Sequence, residues 1–205
     1  MARSEDIKTP MARVAFAQNL FKPQESDSGA KKFGCSLLFS KDTDLSALHD
    51  AAFAAAKEAW GDKAKDMIQN GVIKTPFIDG DGPQGCSKKT GERHAGFAGT
   101  TFIRCVSGED FKPKVFDRNV NPVGDASGCP SGWYGYAVVN AFTWENSQNG
   151  KGISFGISLF QVAKEGEVLG GSGGPDPNKF LEKIADEGEA PSETKSGDGA
   201  AGLFG

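Results

Sequence analysis

The stretch from Trp133 to Gly171, WYGYAVVNAFTWENSQNGKGISFGISLFQVAKEGEVLGG, constrains the fold of this chain more than any other. Two long apolar segments flank a polar turn around Ser147–Asn149, the pattern of a hairpin of extended strands. Side chains alternate across a strand. Tyr134, Tyr136, Phe142 and Trp144 therefore share one face, with Val138 and Asn140 between them, while Gly135, Ala137, Val139 and Ala141 take the other. A bulge at Gly135 would exchange the two faces. The aromatic face is either a core packed with rings or a stacking platform for flat ligands such as nucleic-acid bases.

The remaining segments supply partners for that hairpin. Residues 11–21 read as a first strand with Val14 and Phe16 on one face, and residues 33–40 as a second with Phe33, Cys35, Leu37 and Phe39 aligned. The alanine-rich run from Asp44 to Trp60 reads as a helix, capped by Asp42 or Asp44 and ended by Gly61. Leu45, Leu48, Ala52, Ala56 and Ala59 form its apolar stripe, with Phe53 and Trp60 assigned to core packing. Residues 62–95 read as irregular, with the glycine- and charge-rich run 78–96 a long exposed loop or hairpin, 97–106 as a strand and 111–132 as a turn-rich connection. This order predicts a mainly β fold: a five-stranded OB-fold Greek-key barrel with an inserted α-helix and a flexible acidic C-terminal tail. Residues 1–170 form the barrel domain. Residues 171–205 comprise a glycine-rich linker, a short helix opening at Asp176-Pro177 and a tail of disordered composition.

Charge is unevenly placed. The chain carries 27 acidic and 23 basic residues, a net charge of −4. From Glu182 onward six acids (Glu182, Asp186, Glu187, Glu189, Glu193, Asp198) face two bases (Lys183, Lys195), which leaves 21 of each before that point. The body is neutral and the excess negative charge sits at the C-terminus, the arrangement of a partner-binding or self-masking tail. The four cysteines lie far apart without a C-x-x-C pair, and there are only two histidines, so neither a metal site nor a cofactor is expected and the thiols are read as reduced. No apolar run is long enough to span a bilayer and the N-terminus lacks a signal-peptide core, so a soluble, intracellular protein is expected.

Enzymatic readings find little support. Asp79-Gly80-Asp81 is the one tempting carboxylate group for metal-dependent nuclease chemistry, but aspartate in a glycine-rich turn is expected on conformational grounds. No serine or cysteine sits in an elbow-like motif.

Several short motifs occur in a telling order: Ala12-Arg13-Val14-Ala15-Phe16 with Leu20-Phe21, Glu58-Ala59-Trp60-Gly61-Asp62-Lys63-Ala64, Asp79-Gly80-Asp81, Val139-Asn140-Ala141-Phe142, Asn149-Gly150-Lys151-Gly152-Ile153-Ser154-Phe155-Gly156 and Gly166-Glu167-Val168-Leu169-Gly170-Gly171. In this order the chain, to about Gly171, resembles the phage single-stranded DNA-binding proteins. The resemblance implies an OB-fold protein without enzymatic activity that coats single-stranded DNA during phage replication or recombination in the cytoplasm of the infected bacterium. It also implies a tail, here Glu187, Glu189, Glu193, Asp198 and Phe204, that contacts replication or recombination proteins. Similar proteins end in an aromatic residue, whereas here Phe204 is followed by Gly205.

Sequence-tolerant binding of a single strand needs rings that stack on bases and cations that follow phosphates. The stacking candidates are Tyr134, Tyr136 and Trp144, then Phe142 and Trp133; Phe155 alternates with aliphatic residues and is assigned to the core. The phosphate candidates are Lys32, Lys88, Lys89, Arg93, Arg104, Lys112, Lys114, Arg118 and Lys151, with Lys31 beside them. The expected partners are single-stranded DNA, the proteins met by the tail and a second copy of the chain; no membrane is expected. The alternative is a virion or adaptor β-barrel that uses the aromatic face to oligomerise.

Overall fold

In the computed structural model, which describes residues 1–25 and 29–170, the elements follow as β1 (Ile7–Lys8), β2 (Ala12–Ala15), β3 (Gln24–Glu25), β4 (Lys31–Ser40), α1 (Ser46–Trp60), α2 (Ala64–Gln69), β5 (Ile73–Lys74), β6 (Phe77–Asp79), β7 (Thr100–Gly108), β8 (Lys114–Phe116), β9 (Tyr134–Asn146) and β10 (Gly150–Lys164). The fold is mainly β. Five strands pair in a closed circuit. β2 runs antiparallel to β4 (Val14 opposite Leu37), and β4 to β7 (Cys35 opposite Cys105). β7 is parallel to β10 (Cys105 opposite Phe155), β10 antiparallel to β9, and β9 returns to β2 through Gly135 opposite Ala12. β1 pairs further along the edge of β9 that β2 occupies, with Ile7 opposite Val139.

The alternation of β9 decides which side is interior. Ala137, Val139 and Ala141 are buried, together with Phe155, Ile157 and Phe160 of β10 and Cys35, Leu37 and Phe39 of β4. Leu48, Ala51, Ala52, Ala55 and Ala56 of α1 belong to the same core. Small residues on both helix and strand let α1 approach β9 closely, and every apolar atom so buried contributes about 25 cal/mol per Å². The rings of Tyr134, Tyr136, Phe142 and Trp144 face outward and are half-buried. No bulge falls at Gly135, so the two faces are not exchanged there. The bulges fall in β10, where Ser158 and Ala163 are the extra residues, so β9 keeps its alternation throughout.

Four expectations are corrected. The first strand stops at Ala15, because Phe16 adopts a left-handed conformation (φ 57°) and leads into a 3₁₀ turn; its ring leaves Val14's face and joins Phe97, Phe102 and Leu38 in a second cluster. The helix begins at Ser46, whose N–H donates to Asp44 Oδ1 (2.9 Å), while Asp42 bonds Ser40 instead. Phe53 is not core: it is 42% exposed, and Ala59 is exposed as well, because at 100° per residue the buried stripe runs through positions 48, 51, 52, 55 and 56. The segment 62–95 is not irregular throughout but holds α2, β5 and β6, each of six residues or fewer. Among the described residues no helix is long and apolar enough to cross a membrane. The linker, the helix expected at Asp176-Pro177 and the tail lie outside the described residues.

Candidate nucleic-acid interface

The outer face of β9 is one wall of a groove, and β10 shapes its floor. Ser154 lies opposite Phe142, Gly152 opposite Trp144 and Gly156 opposite Asn140. The indole of Trp144 rests directly on Gly152: a Cβ there would stand 2.2 Å from Trp144 Cζ2. Trp144 Nε1 donates to Ser154 Oγ (3.0 Å), so a glycine and a hydroxyl together fix the ring's attitude. Asn140 donates from Nδ2 to Asp6 (2.8 Å), and its Oδ1, turned to Gly156, has no partner among the described residues.

Two contiguous lobes make up the groove. The first, about 690 Å³, is lined by Arg3, Lys32, Lys112 and Lys114 together with Phe142, Val106 and Phe111. The second, about 990 Å³, is lined by Lys32, Lys74, Lys88 and Arg104 together with Phe142, Trp144 and Ser154. Lys32, Val106 and Phe142 belong to both, so Phe142 stands at the junction. Seven cations (Arg3, Lys32, Lys74, Lys88, Arg104, Lys112, Lys114) thus face one carboxylate, Asp110, among the described lining residues. Walls of one sign focus potential and draw in anions. Partial burial pulls the Arg104 guanidinium below the ordinary arginine value. A guanidinium nevertheless keeps its charge at neutral pH. Its Nη atoms are held by Gln84 (3.3 Å to Oε1, 3.1 Å to the backbone carbonyl).

Of the residues singled out from sequence, Lys32, Lys88, Arg104, Lys112, Lys114, Phe142 and Trp144 come together at this groove. The others do not line it. Lys151 sits on the opposite face from Trp144 and pairs with Glu145 (3.2 Å). Arg93 donates to the carbonyls of Gly80 and Asp81 and lies 3.5 Å from the Asp81 carboxylate, so it staples the 79–99 loop to itself. Lys89 and Arg118 are exposed on turns away from the lobes. Lys31 pairs with Glu109 (3.8 Å). Trp133 packs against the core. Tyr134 and Tyr136 continue the aromatic face beyond the groove, and cations already stand over them: Lys164 (4.7 Å) and Arg13 (5.7 Å) at Tyr134, and Lys8 (4.4 Å) at Tyr136. Glu187, Glu189, Glu193, Asp198 and Phe204 lie outside the described residues.

The same pairing of ring and cation recurs at the groove, with Arg3 over Phe142 (5.9 Å) and Lys74 over Trp144 (6.0 Å). Sequence reasoning missed both. Arg3 arrives because Ala2 and Ser4 hydrogen-bond Thr143 and Ala141, a match between residues about 140 positions apart that leaves no local signal. Lys74 had one: Val72-Ile73 before Thr75-Pro76 is β-rich, though too short to declare a strand.

The acidic turn at residues 79–81 is organised as a loop brace. Lys41 reaches both Asp79 (3.2 Å) and Asp81 (2.6 Å). Asp79 is held below the ordinary carboxylate range chiefly by the N–H of Asp81, and Asp81 chiefly by Lys41. An ammonium therefore occupies the position between the two carboxylates where a nuclease would hold a metal ion. Among the described residues no three His, Cys, Asp or Glu side chains gather as metal ligands. The cysteines are free; burial and the neighbouring Cys35 push the Cys129 thiol up to about 12, the behaviour of a core thiol.

Comparison with known proteins gives three results. A family model described as the single-stranded DNA-binding protein of Enterobacter phage Enc34 matches residues 5–190. No curated protein matches the sequence. Among solved structures, the chain is similar to the single-stranded DNA-binding protein from bacteriophage Enc34 in complex with single-stranded DNA, at 21% identity and a TM-score of 0.60 over 80% of this chain and 89% of that one. It is similar to a second structure of the single-stranded DNA-binding protein from bacteriophage Enc34 at 20% identity and a TM-score of 0.58, over 84% of this chain and 88% of that one. The gp2.5 single-stranded DNA-binding protein of bacteriophage T7 is similar at 14% identity and a TM-score of 0.55, over 92% of this chain and 100% of that one. At these identities the structural likeness is one of fold, mainly β and OB-like.

Proposed function

The chain belongs to the Enc34 single-stranded DNA-binding protein family, and on that premise we propose that it binds single-stranded DNA without sequence preference, in the groove along the outer face of β9. The observation that carries this reading is the coincidence of seven cations with Phe142 and Trp144 in one channel. Cations that follow the backbone, with rings that accept any base on their faces, suffice for sequence-tolerant binding. Tyr136 and Tyr134 extend the path along the same strand, where Lys8, Lys164 and Arg13 supply further positive charge. We place this activity in residues 1–170, with the closed circuit of β2, β4, β7, β10 and β9 acting as a five-stranded OB barrel. The protein would coat and protect phage DNA during replication or recombination in the host cytoplasm, as a binding protein without catalysis.

Residues 171–205 complete the proposal. The carboxylates of Glu187, Glu189, Glu193 and Asp198 would compete with phosphates for the groove's cations, and DNA would release the segment, with Phe204, to replication or recombination partners. Titrating full-length protein and a form truncated before Glu182 with labelled oligo-dT at two salt concentrations tests both parts. Binding should weaken steeply with salt, and truncation should raise affinity most at low salt. A flat salt response would count against the groove, and equal affinities of the two forms at every salt would count against the tail's role.

A further inference from the structure

The most exposed aromatic ring at the groove is not on a strand. Phe111, 75% exposed, stands at the end of the turn that leaves β7 and lines the first lobe beside Lys112 and Lys114. The turn is closed by Phe111 N–H donating to the Gly108 carbonyl (3.0 Å), and Ser107 Oγ donates to the Phe111 carbonyl (2.5 Å). The ring lies beside Gly108, at ordinary van der Waals distance: a Cβ there would be 4.0 Å from Phe111 Cδ2. The turn therefore holds a bare phenyl group out on a braced backbone, where it contributes little to the core.

Isolated exposed apolar residues are common and need no function. Phe53 is such a residue: it is 42% exposed on α1 and lines neither lobe. Phe111 differs in its surroundings. Arg3, Lys32, Lys112 and Lys114 share its lobe, and so does Phe142, the ring at the junction with the second lobe. A polyanion drawn by those cations would bring bases within reach of both rings, and an exposed phenyl face stacks on any base. We infer that Phe111 is a loop-borne stacking residue, taking a nucleobase against its ring in the lobe that Phe142 also lines. The inference rests on the single-stranded DNA reading above and adds to the β9 platform a contact from a different element, on the turn between β7 and β8.

The test is an anisotropy titration of labelled oligo-dT with the full chain at two salt concentrations, comparing wild type, F111A, F111L, F111Y and F53A. Losing one stacked base should weaken F111A roughly 5- to 150-fold. Its log–log salt slope and thermal midpoint should stay as in wild type, because no phosphate contact and no core packing is lost. F111Y should bind as wild type does. F111L, apolar but without a ring, should remain weak, and F53A should be unchanged. F111A or F111L binding within twofold of wild type would overturn the inference while leaving the DNA reading intact. Failure of the wild type itself to bind would remove both.

Discussion

One methyl group at Gly152 should disable the groove with every cation and every ring still in the sequence. In the native protein the indole of Trp144 occupies the space where a Cβ would project, 2.2 Å from Cζ2 and 2.5 Å from Cε2. Carbon atoms settle at about 3.5–4.0 Å. Gly152→Ala must therefore lift the ring by roughly 1.5 Å, enough to break the 3.0 Å bond from Nε1 to Ser154 Oγ. Trp144 is half-buried and can move toward solvent, so the cost to folding should stay at about 1–3 kcal/mol. The cost to binding should be larger in relative terms. A displaced ring no longer presents its face along the groove, and one stacked base is worth about 1–3 kcal/mol, or roughly 5- to 150-fold in affinity. G152A and W144A should be titrated with oligo-dT beside wild type, with circular dichroism to verify folding. G152A should reproduce most of the loss seen in W144A. If folded G152A binds like wild type while W144A does not, the seating of the ring is irrelevant; if both bind like wild type, Trp144 is not in the interface.

Three further outcomes separate the roles of individual charges. Lys32, exposed and shared by both lobes, should on replacement by alanine reduce the slope of log affinity against log salt by about 0.7 with an unchanged thermal midpoint. Arg93→Ala should do the reverse, lowering the thermal midpoint through the loss of its bonds to Gly80 and Asp81 while leaving the salt slope as it was. Asp79 and Asp81 titrate below the ordinary aspartate value in the folded protein. Their stabilisation is therefore complete above the unfolded value near pH 3.9 and is lost as pH falls below it through their folded values. Denaturant titrations at pH 7, 4 and 3 should show that step, and Asp81→Asn should reduce its size.

What the sequence disclosed, and what it hid, follows from length and locality. β9, β10, β4 and α1 run for ten residues or more, long enough for period 2 or period 3.6 to stand out, and all four were legible. α2, β5 and β6 are too short for any periodicity to declare itself. Phe16 ends its strand through a left-handed backbone that a phenylalanine gives no reason to expect. At the groove, alternation correctly grouped Tyr134, Tyr136, Phe142 and Trp144 on one face, yet nothing along β9 indicated that the lobes would open at Phe142 and Trp144 rather than at the tyrosines. That depends on where Lys32, Arg104 and Lys112 arrive from β4, β7 and the turn before β8. Charge alone could not separate Lys32, which faces the groove, from Lys151, which is turned away and paired with Glu145.

The most direct measurement is photo-cross-linking of the full-length protein to oligonucleotides carrying 5-iododeoxyuridine, with the joined peptides identified by mass spectrometry. Cross-links concentrated at Phe142 and Trp144, and suppressed by high salt, are the expected result. Cross-links confined to α1 or to the 79–99 loop, with none on the outer face of β9, would contradict the placement of DNA in this groove.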